Sequence, residues 1–353
     1  MAASAVVVKA TGARHGLQID PADGRTAAVY PRPVADLPAF AGIPTFLRLP
    51  LAEETDAIGA ANPDIVVVGA PFDVAVTNRP GARYGPRAIR SAGYLTWREL
   101  HHLELRLRPS EHLRAVDAGD AFCPPGDIKR GHDGIRAKLR EVLDAAPACV
   151  PIVLGGDHSI TYPAAGTVAD HHGRTVGVVH FDAHADTADE SWGVSLSHGT
   201  PMRRLIEAGH VAGRNFVQVG LRGYWPGPEV LAWMDEQGMR VHFMHDIVRR
   251  GFDAVLQEAI EQALDGPERV YISVDIDVLD PAFAPGTGTP EPGGLASVDL
   301  LRAVREIALQ VPLAGMDIVE VSPPYDSGDI TAEVAQRVAM EAICALAALR
   351  AGA

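Results

Sequence analysis

From residue 65 onward the chain repeats one pattern: a short apolar run, a polar or glycine-rich stop, then a stretch with apolar residues at helical spacing. Runs without polar alternation mark strands buried on both faces, as in a parallel sheet covered by helices. Such runs fall at 65–69, 113–117, 151–154, 176–181, 216–220, 239–243, 271–275 and 313–319. Helical patterning is expected over about 132–145, from beyond His158 to the pair His171 and His172, over 228–237 and 253–264, and from about 331 onward. Pro86 suits the first turn of a further helix. No Pro/Ser/Gly-rich linker divides these units. They therefore form one doubly wound α/β domain with an eight-stranded, mainly parallel sheet. Residues 1–36 lack the periodicity and are expected to be an extended arm ahead of a domain over 37–353.

The strand ends carry the chemistry. The run at 176–179 leads into His180-Phe181-Asp182-Ala183-His184-Ala185-Asp186, where Asp182, His184 and Asp186 fall at every second position. In extended backbone that spacing puts all three side chains on one face. Two carboxylates and an imidazole so crowded repel one another unless a cation lies between them. The mixed oxygen and nitrogen set suits a first-row divalent metal such as Mn, Fe, Ni or Zn. A helix N-cap with a solvated acidic turn is the blander alternative for this segment alone.

Two further segments weigh against it. Tyr271-Ile272-Ser273-Val274-Asp275-Ile276-Asp277 is an apolar strand ending in Asp-x-Asp, and Pro151-Ile152-Val153-Leu154-Gly155-Gly156-Asp157-His158 runs through a glycine turn to a histidine. An open parallel sheet builds its site at the carboxyl ends of its strands. His158, Asp182, His184, Asp186, Asp275 and Asp277 thus pool as candidate ligands. Six donors with four negative charges exceed what one cation needs and suit two, with a bridging carboxylate. Glu320, at the end of the last run, is a further site candidate. His198, in Ser197-His198-Gly199-Thr200-Pro201 ahead of a helix, follows Asp186 by twelve residues and lies beside the same site.

Composition narrows the partners. A net charge of −14 over 353 residues argues against nucleic acid or an anionic membrane and is compatible with a cationic substrate. Cys123, Cys149 and Cys344 share no metal or redox spacing, which points to a reducing, cytoplasmic setting. No apolar run approaches a membrane span, and the first residues lack the basic region of a signal peptide.

Gly155-Gly156-Asp157-His158-Ser159, the segment His180 to Asp186, and Ser273-Val274-Asp275-Ile276-Asp277-Val278-Leu279-Asp280-Pro281 resemble, in order, three signatures of the ureohydrolases, the arginase and agmatinase family. The resemblance covers roughly residues 40–350. It implies the arginase-like form of the fold and a homo-oligomer, trimer or hexamer. It also implies two divalent ions per chain, usually Mn and in some members Ni. His158, Asp182, Asp186 and Asp275 would hold one ion, and Asp182, His184, Asp275 and Asp277 the other. A guanidinium is a poor electrophile, so its hydrolysis needs a water activated by such ions. Asp186 would accept that water's proton, Glu320 would orient the guanidinium, and His198 would carry a proton to the leaving amine. The products would be urea and an amine.

The substrate is harder to read. The segment Ala188-Asp189-Glu190-Ser191-Trp192-Gly193-Val194 departs from the polar loop with which arginases hold an amino acid. Asp189 and Glu190 would repel a carboxylate and attract an ammonium. Gly286-Thr287-Gly288-Thr289-Pro290-Glu291 and Ser322-Pro323-Pro324-Tyr325 resemble agmatinase-like members. Agmatine, cleaved to putrescine, is the expected substrate. Guanidinobutyrase, guanidinopropionase or guanidine hydrolase activity is the alternative, with Arg79, Arg83 or Arg222 reading a carboxylate. The arginine-rich loop 77–90 otherwise reads as scaffold. A catalytically silent interaction protein would lack a ligand, and a metal-dependent amide deacetylase would lack the full double set.

Overall fold

The computed structural model describes residues 38–352, so the arm expected over residues 1–36 lies outside them. Its strands are β1 (Ile65–Ala70), β2 (Ala115–Asp120), β3 (Val150–Gly155), β4 (Val176–Phe181), β5 (Phe216–Leu221), β6 (Arg240–Phe243), β7 (Arg269–Asp275) and β8 (Leu313–Val319). They make one eight-stranded sheet in the order β2-β1-β3-β8-β7-β4-β5-β6. Every ladder in it is parallel.

The α-helices among the described residues are α1 (Thr55–Ala61), α2 (Gly85–Ser91), α3 (Ile128–Ala145), α4 (Thr161–His171), α5 (Pro201–Glu207), α6 (Pro228–Glu236), α7 (Met244–Arg250), α8 (Phe252–Ala263), α9 (Ser297–Gln310) and α10 (Ile330–Ala351). They cover both faces of the sheet, which is why strands such as β1, β4 and β8 are buried at every residue. One core joins Ile65 and Val67 to Ile89 of α2, Val255 of α8, Ile307 of α9 and Ile343 of α10. The other joins Val66 and Val68 to Ile58 of α1, Leu139 of α3, Val168 of α4 and Met234 of α6.

Three helices lie where no helical pattern was expected. Seven-residue α1 buries only Ile58, too little to show a period. The equally short α7 follows β6 without a break and buries Met244 and Ile247. By contrast, α9 carries a clear stripe, with Leu300, Ala303, Val304, Ile307 and Ala308 buried. Within the loop 77–90 the Asp73 carboxylate accepts from the Gly81 N–H at 2.8 Å and pairs with Arg83.

Candidate active site

In a parallel sheet the strand ends that can share a site are those adjacent in space. β3, β8, β7 and β4 are consecutive at the middle of the sheet, and each delivers acidic or imidazole side chains at its carboxyl end. After β3 the chain turns at Gly156, whose φ is 23°; a Cβ there would meet the carbonyl oxygens of Ala70 and Phe72 at 2.6 Å. That turn swings His158 back over the sheet.

The convergence of the aspartates differs from the extended geometry expected above. β4 stops at Phe181, and the chain turns through Asp182 to Asp186, which sits at φ 52°. Asp182 Oδ1 accepts the His184 N–H at 2.6 Å, and Asp275 Oδ1 accepts the Asp277 N–H at 2.8 Å. The same aspartate turn is thus used twice, and it brings the i and i+2 side chains together without an extended strand. Glu320 likewise has φ 61°. Left-handed backbone at two non-glycine site residues costs roughly 1–3 kcal/mol each and needs firm support from its surroundings.

His158 Nδ1 lies 3.1 Å from Asp182 Oδ2, 3.0 Å from Asp186 Oδ2 and 3.1 Å from Asp275 Oδ2. Yet it is buried and makes no hydrogen bond of acceptable geometry. Donors at right angles around an ion with bonds of about 2.1 Å sit about 3.0 Å apart, so these separations fit an octahedral edge. A second group shares Asp182: His184 Nδ1 is 3.5 Å from Asp182 Oδ1 and 3.1 Å from Asp277 Oδ2. Asp182, His184 and Asp277 offer three donor atoms within 4.8 Å of one another.

The electrostatics call for cations in both places. Burial, then the charges of Asp277 and Asp182, push the Asp275 carboxyl well above its usual range. Burial opposes charge on His158, but Asp182, Asp186 and Asp275 overcome it and raise the imidazole well above its ordinary value. A divalent ion among these groups would balance their charge without a proton.

Beneath these donors runs a polar row that the sequence reading did not name. Strand register aligns Gln218, His180, Ser273 and Asp317 side by side across β5, β4, β7 and β8, and all four are fully buried. Gln218 donates to Ala185 O and to His180 Nδ1, so the proton of His180 is on Nε2, which donates to Asp182 Oδ2 at 2.9 Å. His180 groups geometrically with His158 and Asp182, but it has no free lone pair for a metal. It holds Asp182 instead. His158 Nε2 in turn meets Ser273 Oγ at 3.0 Å, and that hydroxyl donates to Asp317 Oδ1 at 2.7 Å. Such outer partners fix the orientation of metal-binding imidazoles.

Glu320 Oε1 accepts the His158 N–H at 2.9 Å and lies 3.0 Å from His198 Nδ1. Its Oε2 is buried without a partner. Burial pushes His198 down, but the hydrogen bond and charge of Glu320, with Asp186 and Asp157 behind it, raise it to about 9. A cavity of ≈ 940 Å³ opens over the group and is lined by His184, Asp186, His198 and Asp275, with Arg203, Trp225, Glu229, Trp233 and Glu236 toward its mouth.

At that mouth the structure redistributes the charges expected from sequence. Asp189 accepts from Arg204 Nη2 at 2.7 Å and lies 3.6 Å from Arg203, so its charge is already countered. Arg222 is unavailable to a carboxylate: its guanidinium is spent on six backbone carbonyls. Arg83 is held by Asp73, and Arg79 lies over the Tyr325 ring. The arginine that does line the cavity is Arg203, which packs over Trp233 at 4.5 Å.

A doubly wound parallel sheet whose carboxyl edge gathers four aspartates and two histidines into two adjoining donor groups is the framework of a metal-dependent hydrolase. Comparison with known proteins gives the family. The model of the arginase family matches residues 63–345. Guanidinopropionase from Pseudomonas aeruginosa is 42% identical over 321 residues, covering 90% of this chain and 96% of that protein. Mitochondrial agmatinase from Gallus gallus is 39% identical over 86% of each chain. The solved structure of proclavaminate amidinohydrolase from Streptomyces clavuligerus superposes with a TM-score of 0.79 at 38% identity, covering 88% of this chain and 99% of that one. The chain belongs to the arginase family, and it is a hydrolase of carbon–nitrogen bonds in linear amidines. No helix among the described residues is long and apolar enough to cross a membrane.

Proposed function

We propose that the chain is a binuclear-metal amidinohydrolase that cleaves a small ω-guanidino compound to urea and an amine, with agmatine as substrate and putrescine as product. The observation that carries this reading is the pair of donor groups sharing Asp182 at the floor of one cavity. His158, Asp182, Asp186 and Asp275 would hold one ion, and Asp182, His184, Asp275 and Asp277 the other, with manganese proposed and nickel the alternative. Bound there, two divalent ions supply an acidified water as nucleophile.

The chain's own residues do the rest. Glu320 Oε2, buried and unpartnered, takes an N–H of the guanidinium in a charge-assisted bond and turns its carbon toward the nucleophile. Asp186 accepts a proton from the attacking water, and His198 supplies one to the departing nitrogen. The mouth chooses the tail. Glu190, Glu229 and Glu236 line it, and among the described residues none of the three has a salt-bridge partner. Arg203 is already countered by Glu207 at 2.8 Å. A rim of that sign favours an ammonium. Exposed pairs are each worth at most about 1 kcal/mol, roughly fivefold in selectivity.

Arg203 favours a second reading, in which its guanidinium holds the carboxylate of a guanidino acid, as the guanidinopropionase relative's name suggests. Urea release from agmatine, 3-guanidinopropionate and 4-guanidinobutyrate, with Mn and with Ni at neutral pH, decides between them. Agmatine is expected to give the highest kcat/KM, reduced by Glu229→Gln. If a guanidino acid wins and Arg203→Gln abolishes the preference, the second reading replaces the first. Cytoplasmic location belongs to the proposal through the cysteine pattern, and a trimer or hexamer through family resemblance; light scattering on the purified protein tests the assembly.

A further inference from the structure

His198 is clamped at both ring nitrogens. Nδ1 faces the acceptor Glu320 Oε1 at 3.0 Å, so Nδ1 carries a hydrogen. Nε2 lies 3.1 Å from the backbone nitrogen of Thr77 and 2.8 Å from Thr77 Oγ1. A backbone N–H only donates, so the neutral ring presents its Nε2 lone pair to Thr77. The residue is 9% exposed, and neither ring nitrogen is left free for a substrate. Thr77, in contrast, is exposed and lines the same cavity as His184, Asp186 and Asp275.

The loop around Thr77 is fixed from three sides. Asp157 Oδ2 accepts the Ala75 N–H at 2.9 Å, Ala75 O accepts the His198 N–H at 3.1 Å, and Asn78 Nδ2 donates to Gly288 O at 2.9 Å. A hydroxyl so placed can accept from one partner while donating to another.

Resting on the amidinohydrolase reading above, we propose that Thr77 is a catalytic residue, its hydroxyl carrying the proton from His198 to the leaving amine. On protonation Nε2 gives up the bond from the Thr77 backbone N–H and donates to Thr77 Oγ1, the nearer partner at 2.8 Å, and the hydroxyl's own hydrogen points into the cavity. As the C–N bond breaks, the departing nitrogen takes the hydroxyl proton and its N–H bond forms. Thr77 Oγ1 takes the Nε2 proton in the same event, so the hydroxyl is regenerated and the ring ends neutral. The proton that Asp186 took from the attacking water returns through cavity water and the Thr77 hydroxyl to Nε2, which recharges the ring. No further reactant is needed.

The test is a double-mutant cycle on the metal-loaded, full-length protein, using Thr77→Val, Thr77→Ser, His198→Ala and the Thr77→Val/His198→Ala pair. Valine keeps the shape and the backbone N–H but has no hydroxyl. The expected result is a kcat about 10²-fold lower in Thr77→Val, the size typical of a lost proton-transfer group. KM should stay within about threefold and metal content unchanged, with Thr77→Ser within about fivefold of wild type. Residues acting in series are non-additive, so Thr77→Val should cost almost nothing further once His198 is gone. Thr77→Ala repeats the measurement in case valine disturbs the loop. Additive losses, a serine variant as slow as valine, or a Thr77→Val rate within about threefold of wild type each overturn the relay. Wild-type protein that releases urea from no guanidine overturns the amidinohydrolase reading itself, before any variant is made.

Discussion

Replacing Arg222 by alanine should destabilise the fold by about 3–5 kcal/mol, a large share of the roughly 5–15 kcal/mol that holds a typical domain together. The side chain leaves the end of β5 and meets no carboxylate. Nη2 donates to Glu291 O at 2.6 Å and to Asp277 O at 2.8 Å. Nε and Nη1 share the carbonyls of Gly220, Val278, Glu291 and Pro292 at 3.1–3.2 Å. The two short bonds are charge-assisted and worth about 1.5–3 kcal/mol each when lost, while the shared ones count for less. Arg222 is only half-buried, so water can re-solvate some of the stranded carbonyls, and the total stays below the sum. Lysine keeps the charge but not the planar fork, so Arg222→Lys should lose about half as much. Asp277 is held by its own carbonyl in this cage, so the metal position shared by Asp182, His184 and Asp277 should weaken first. Urea unfolding of the metal-loaded variants gives the stability, and metal titration followed by dialysis gives the ion count. An alanine variant within about 1 kcal/mol of wild type that keeps both ions would show that the cage is incidental.

Other outcomes follow from the same geometry. Asp275→Asn should strip metal and activity together, seen by elemental analysis, because it sits against both donor groups. Glu320→Gln should lower turnover by about 10–150-fold, matching the loss of one charge-assisted bond, with metal content retained. His132 is held by burial, then by the charge of Arg136, at a pKa of about 4 against an ordinary 6.5. Above pH 6.5 it is neutral folded or unfolded; between 6.5 and about 4 only the unfolded chain takes the proton. It should therefore cost the native state about 1.4 kcal/mol per pH unit over that window. His132→Gln should remove about 2 kcal/mol of the stability lost between pH 7 and pH 5, measured by denaturant unfolding in matched buffers. An unchanged slope would mean the ring is not kept neutral.

Sequence legibility followed a physical divide. The apolar runs of β1, β3, β4, β7 and β8 are buried along almost their whole length, as a parallel sheet covered by helices requires, and the acidic residues following β4, β7 and β8 converge at its edge. Turns were less legible: spacing alone suggested an extended Asp182 to Asp186, whereas each aspartate captures the N–H two residues on and Asp186 goes left-handed. Least legible were contacts set by packing between distant elements. Asp189 looked free in sequence and is taken by Arg204, fifteen residues away on α5. Glu229 and Glu236 reach the mouth only because α6 folds beside it, and Thr77 meets His198 across a separation of 121 residues. The row of Gln218, His180, Ser273 and Asp317 was visible as polar residues inside apolar strands, a signal that register alone converts into a network.

The order of the strands bears on when the site can exist. β8 comes last in the chain but lies at the centre of the sheet, paired with β3 on one side and β7 on the other. Until it inserts, a growing polypeptide has two half-sheets, β2-β1-β3 and β7-β4-β5-β6, with a gap between them. That gap parts His158 from Asp182, Asp275 and Asp277, and Glu320 leaves the ribosome last of all. Insertion of β8 zips the halves together and sets His158 among Asp182, Asp186 and Asp275. Uptake at the His158 position therefore reports a finished molecule: a chain truncated before residue 313 keeps Asp182, His184 and Asp277 at the ends of the neighbouring β4 and β7 but lacks the strand that joins His158 to them.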